Sequence, residues 1–131
     1  MKSLFAFLGI LLLCQFSYVS AAPPVPYVGK LSLDGKNING TVKFSFSIVD
    51  SAGSEVWAHA ESNSLIENVV SNGRYVVLLG GQEMRPLPAD IFVGNEDLYV
   101  RVHADLGDGI GLRHLKPDQR LSSNPYAHVA D

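Results

Sequence analysis

Residues 41–49 read Thr-Val-Lys-Phe-Ser-Phe-Ser-Ile-Val. Val42, Phe44, Phe46 and Ile48 fall on one parity; Thr41, Lys43, Ser45 and Ser47 fall on the other. A helix needs apolar residues every three or four positions, so this pattern excludes one. Period two predicts a strand with one dry and one wet face. The same rhythm recurs at 27–33, 55–61, 65–70, 74–79, 98–104 and 110–115. Turn residues separate these runs. Asp34-Gly35, Asn39-Gly40 and Ser71-Asn72-Gly73 offer the positive φ angles of tight turns, and Gly80-Gly81 and 105–109 add glycine-rich breaks. Pro86 to Phe92 breaks the rhythm and predicts a crossing loop with one helical turn starting near Pro88. The pattern therefore predicts an all-β fold: an antiparallel β-sandwich of about seven short strands with at most one short helical turn. Prolines and Lys43 are suited to protecting its sheet edges.

The N-terminus has a different grammar. Lys2 precedes an apolar run from Leu4 to Phe16, and Ser20-Ala21-Ala22 supplies small residues. That order predicts a secretory signal peptide over 1–22, cleaved after Ala21 or Ala22. The run is shorter than the ~20 apolar residues of a membrane span. Cys14 lies inside the apolar run after Leu13, so it reads as a hydrophobic residue rather than a lipid-attachment cysteine. Cleavage would remove the chain's single cysteine, and with it disulfides, thiolate metal sites and a cysteine nucleophile.

The expected mature part is about 110 residues, which fits one domain over 23–121 followed by an exit segment over 122–131. Lys2 is the leader's one charged side chain, so a formal charge of -3 becomes -4. A mildly acidic chain without a basic run carries no footprint for nucleic acid. The expected location is secreted or cell-surface, with no membrane span after cleavage.

Several stretches then taken together resemble a known kind of module. They are "VPYVGKLSLDGKNINGTVKFSFSIVDSAGSEVWAHA", "VSNGRYVVLLGG", "LPADIF", "LYVRVHADLG" and "LKPDQRLSSNPYAHVAD". In this order they resemble bacterial secreted β-sandwich modules found near the N-terminus of tail-fibre-like or coiled-coil surface proteins. That family closes on arginine-glutamine-arginine-leucine and then proline-tyrosine-alanine. Here the close is Asp118-Gln119-Arg120-Leu121 and Pro125-Tyr126-Ala127, with Asp118 departing from the first arginine. The resemblance implies a non-catalytic structural or adhesive module for surface attachment or fibre assembly. In such proteins the close leads into a stalk, so 122–131 is expected to lead to a stalk or partner chain. Arg120, Leu121 and Tyr126 are the residues expected to dock that tail or a partner.

Chemistry-bearing residues give weaker signals. His103, Asp105, Asp108 and His114 surround one turn, but their spacing is not that of a known metal site, and the reading is a solvated turn without metal or other cofactor. Asp105 to Gly111 lacks the carboxylate count and distal Glu of a calcium loop. Asn39-Gly40-Thr41 fits a glycosylation sequon but reads as a hairpin turn. No serine lies in a nucleophile elbow, and nothing selects a carboxylate pair such as Glu55 and Glu61. The chain is accordingly expected not to be an enzyme, a secreted hydrolase being the weakest of three readings. A carbohydrate-binding module is the alternative, with Trp57, Tyr75 and Tyr99 as a sugar-stacking platform. Against it, a lone Trp57 fits the space between two sheets. Partners are expected to be other protein chains, including copies of this one, or a surface polymer.

Overall fold

The computed structural model describes residues 21–94 and 97–121. Among them the chain is all-β, with eleven short strands and no helix. In chain order these are β1 (Ala21–Ala22), β2 (Val25–Lys30), β3 (Ser32–Leu33), β4 (Lys36–Asn37), β5 (Gly40–Asp50), β6 (Glu55–Ala58), β7 (Ile66–Val70), β8 (Arg74–Leu79), β9 (Leu87–Pro88), β10 (Leu98–Asp105) and β11 (Leu112–Leu121). The seven strands longer than two residues match the seven alternating runs of the sequence. The extra four are two-residue pieces, β1 on β9 and β3 on β4.

β5 organises the fold. β10 pairs along one edge of it. On the other edge β7 covers Gly40 to Phe44, and β6 covers Ser47 to Val49. With β11 outside β10, these strands make a five-stranded sheet, while β2 and β8 form a separate pair. All pairings are antiparallel, and no sheet closes on itself among the described residues.

The alternation of β5 decides what is buried. Val42, Phe44, Phe46 and Ile48 are all buried, as are Leu98, Val100, Val102 and Ala104 beside them on β10. Tyr75, Val77 and Leu79 of β8 join the same cluster. The Tyr75 ring lies 4.5 Å from Phe44, so the β2–β8 pair covers the apolar face of the larger sheet. Each of the Val, Leu, Ile and Phe side chains among them contributes about 1.5–3 kcal/mol on burial.

Two turn expectations hold in detail. Asp34 and Gly35 have φ of 53° and 78°, and Asn72 and Gly73 have 52° and 78°. Both pairs have the two positive φ values that a two-residue hairpin turn requires. Three expectations need correction. Asn39-Gly40 is not a hairpin turn: Gly40 opens β5, and the Asn39 side chain accepts the Asn72 N–H at 2.7 Å. The helical turn near Pro88 is absent; Pro88 pairs with Ala21, and single-turn bonds from Ile91 N–H to Pro88 O (3.1 Å) and Val93 N–H to Asp90 O (2.9 Å) follow. The last strand does not end at Leu115 but runs through Pro117 to Leu121. It can do so because the ladder shifts register there, leaving Pro117 at a point where no N–H is demanded.

Most of the expected signal peptide, residues 1–20, and the expected exit segment, 122–131 with Tyr126, lie outside the described residues. Among the described residues no helix is long and apolar enough to cross a membrane.

Candidate functional site

β10 alternates Leu98, Val100, Val102 and Ala104 inward against Tyr99, Arg101, His103 and Asp105 outward. Neighbouring β11 is in ordinary register at both ends. Leu115 faces Val102, and Gln119 faces Val100. Three residues, Lys116 to Asp118, therefore stand opposite the single residue Arg101. A bulge of this kind shortens the path along its strand. Asp118 lies on the outer face by ordinary alternation, and the bulge brings it within reach of both Arg101 and His114.

The contacts are close. Arg101 Nη2 donates to Asp118 Oδ2 at 2.8 Å, and its Nε donates to both carboxylate oxygens at 3.1 and 3.3 Å. His114 Nε2 lies 2.8 Å from Asp118 Oδ1. His103 lies directly across the ladder from His114, with ring centroids 5.0 Å apart and planes 28° from parallel. Arg101, with His114 beside it, holds the Asp118 carboxyl below the usual carboxylate range. Burial, then the neighbouring His114 and Arg101, holds the His103 imidazole below its ordinary value. The result is a connected polar stripe, Arg101–Asp118–His114–His103, on the outer face of the sheet.

The aspartates of the following turn do not join it. Asp105 Oδ1 accepts the Gly107 N–H at 2.9 Å. Asp108 accepts the Ile110 N–H at 3.2 Å and pairs with Arg113 at 2.7 Å. Both carboxylates thus serve the turn. Among the described residues no group of three or more His, Cys, Asp or Glu side chains is arranged around a common point.

A second feature lies where the two sheets part. A groove of about 530 Å³ runs between β2 and β11, with Tyr75, Val100, Val102 and Leu115 among its lining. β2 and β11 are each the outer strand of their sheet on this side. Alternate peptide groups of an outer strand point away from its partner, so both strands offer backbone donors and acceptors to the groove. Tyr27 and Tyr75 lie side by side there, ring centroids 6.3 Å apart, and burial pushes both phenol pKa values up. Gly29 makes this packing possible: a Cβ there would meet Tyr75, with Cε1 at only 2.7 Å.

The remaining expected sites scatter. Trp57 is 4% exposed and Tyr75 2% exposed, so neither can offer a ring face to a sugar. This corrects the platform reading. Trp57 instead fills the core and donates Nε1–H to the Pro86 carbonyl at 3.1 Å. Tyr99 sits half-buried on the outer face, in the same cleft as Arg101 and Asp118. Arg120 and Leu121 are the last residues of β11. Leu121 is buried opposite Leu98, while Arg120 reaches Asp97 at 2.6 Å. Glu55 and Glu61 are both exposed. His59 is buried and structural: its Nδ1 accepts the Phe46 N–H at 3.2 Å, and its Nε2 lies 2.8 Å from Ser64 O.

Sequence reasoning missed Arg101 and Asp118. Arg101 could have been found from parity, since it shares the wet face of β10 with His103. Asp118 shares the parity of His114, but four residues along a regular strand would hold it about 13 Å away, and only the bulge closes that distance.

No curated protein and no solved structure matches the chain. Residues 26–118 match the family described as "Domain of unknown function (DUF8740)". That span runs from β2 to the bulge of β11 and takes in most of the chain, which belongs to this family.

Proposed function

We propose that the chain is a secreted, non-catalytic structural or adhesive module that joins other protein chains in a surface or fibre assembly. In this reading its two larger sheets face one another as a sandwich that stays open along one side. The observation that carries the proposal is the groove between β2 and β11. It combines what strand addition needs: outer-strand backbone on both walls and the half-buried Leu115 between them. An extended segment lying there would pair its backbone with an edge and set an apolar side chain against Leu115. Residues 125–130 of a neighbouring copy, Pro-Tyr-Ala-His-Val-Ala, have a suitable length and apolar content. Expected secretion from the leader and the resemblance of the chain's close to fibre-leading modules support the same reading. The carbohydrate-binding alternative loses its platform with Trp57 and Tyr75 in the core.

Light scattering on the mature protein, from micromolar to millimolar concentration, tests this. Self-association should appear, and should weaken both on deletion of Ser122 to Asp131 and on Leu115→Arg in the groove, with far-UV circular dichroism unchanged. A strictly monomeric protein whose behaviour neither change alters would refute the proposal.

A further inference from the structure

The outer-face stripe carries a chemistry that the assembly reading does not use. We infer that His103 and His114 are the two protein ligands of a surface site for one divalent transition-metal ion of the imidazole-preferring class, copper(II) binding tightest.

Cross-strand placement comes first. Directly opposed residues of an antiparallel pair hold their Cβ atoms about 4.5–5.5 Å apart. His103 and His114 are such a pair, and their rings already face one another at 5.0 Å. Modest side-chain rotation brings one nitrogen of each within the ~2.0–2.1 Å that an imidazole-bound ion needs.

Orientation is the second argument. Ligating histidines commonly donate their other ring N–H to a carboxylate, which fixes the tautomer and raises the basicity of the free nitrogen. His114 has this arrangement: Nε2 is engaged by Asp118 at 2.8 Å, which leaves Nδ1 with the lone pair. Asp118 is in turn fixed by Arg101 through three short contacts. A simple surface ion pair would need neither the bulge nor the second partner. Arg101 does not repel a cation strongly from here, because its charge is matched by Asp118 at 2.8 Å.

Availability is the third. His103 makes no side-chain hydrogen bond among the described residues, and it is half-buried rather than covered. On its β5 side it borders a cleft of about 290 Å³ lined also by Ser45, Ser47 and Glu55. Two imidazoles with water or hydroxyl oxygens suit copper, nickel and zinc rather than calcium or magnesium, and affinity rises toward copper(II).

Isothermal titration of the mature protein with copper(II), nickel(II) and zinc(II) salts, in a non-coordinating buffer at neutral pH, reads the site directly. One ion per chain is expected. His103→Ala and His114→Ala should each weaken binding at least about tenfold, and Asp118→Asn should weaken it about 10–100-fold by loss of the orienting carboxylate. His128→Ala should leave binding unchanged. Electron paramagnetic resonance of the copper form should show two equivalent-class nitrogens in the native chain and fewer in either histidine variant. All three positions are on the outer face, so thermal melts should show each variant folded. Absence of stoichiometric binding, or binding that survives both histidine substitutions, overturns the inference. Equal affinity in native protein and Asp118→Asn removes the positioning role of Asp118.

Discussion

Gly29→Ala is the sharpest probe of how the two sheets meet. Gly29 is buried in β2, opposite Tyr75 of β8. An added Cβ would collide with Cζ and Oη of Tyr75 and would lie 2.7 Å from Cε1. The ring has little room to retreat, being 2% exposed, 4.5 Å from Phe44 and 6.4 Å from Phe46. Forcing a methyl into such a site costs about 1–3 kcal/mol. The strand itself prefers alanine, since an interior glycine is destabilising by roughly 0.5–1 kcal/mol. Tyr75→Leu separates these opposing effects, because leucine lacks the atoms that collide. Urea unfolding of the four proteins in the cycle gives the coupling. In native Tyr75 the change should destabilise; in Tyr75→Leu it should be neutral or slightly stabilising. Equal destabilisation in both backgrounds would show that the tyrosine ring is not what requires glycine.

Acid should act through Asp118. Its carboxyl is held low in the fold, so the folded chain binds fewer protons than the unfolded one. Its contribution is complete above about pH 4 and is lost as pH falls through the lowered folded value. The melting-temperature gap between native protein and Asp118→Asn should therefore close toward strongly acid pH, and a gap that persists there contradicts the pairing. At the β7–β8 turn, Asn72 holds φ of 52°. Asn72→Ala should cost about 1–2 kcal/mol and Asn72→Gly only a few tenths, as thermal melts of the two will show.

Local pattern reached the parts of this fold that local rules control. Residues 41–49 announce β5 because both faces of that strand are uniform, one toward the core and one toward water. Asp34-Gly35 and Asn72-Gly73 announce their turns because positive φ restricts the residue choice. Asn39-Gly40 carries the same signal but is overruled: its neighbours pair elsewhere, and Asn39 is used to bind the Asn72 backbone. Leu87–Pro88 was illegible as a strand, since two residues carry no period. Trp57 and His59 share a parity with the polar Glu55 and Glu61, yet both are buried. Each polar ring edge there finds a backbone carbonyl, at Pro86 and Ser64 respectively, which removes the cost of burial. The outer-face stripe was half legible: the histidines were visible as a cluster and parity puts Asp118 on their face, but the bulge that brings Asp118 beside His114 carries no period-two signal.

A two-residue deletion tests what that bulge does. Between Leu115 and Gln119, β11 spends three residues where β10 spends one. Removing Lys116 and Pro117 leaves Leu115, Asp118 and Gln119 opposite Val102, Arg101 and Val100, in a regular ladder with every inward residue still inward. Leu121 remains over Leu98, and Asp118 remains across from Arg101. Stability should therefore change by less than about 1 kcal/mol, since packing and the cross-strand ion pair both survive. His114 and Asp118 become neighbours two apart on the outer face, separated by about 6.5 Å of rise, the same spacing that their partners His103 and Arg101 have on β10. Their contact and the metal affinity should therefore stay close to native, as should the melt; a loss of affinity of about tenfold would show that the bulge itself sets the geometry of Asp118. A shortened chain that no longer folds would show that β11 needs its extra length to pass the end of β2.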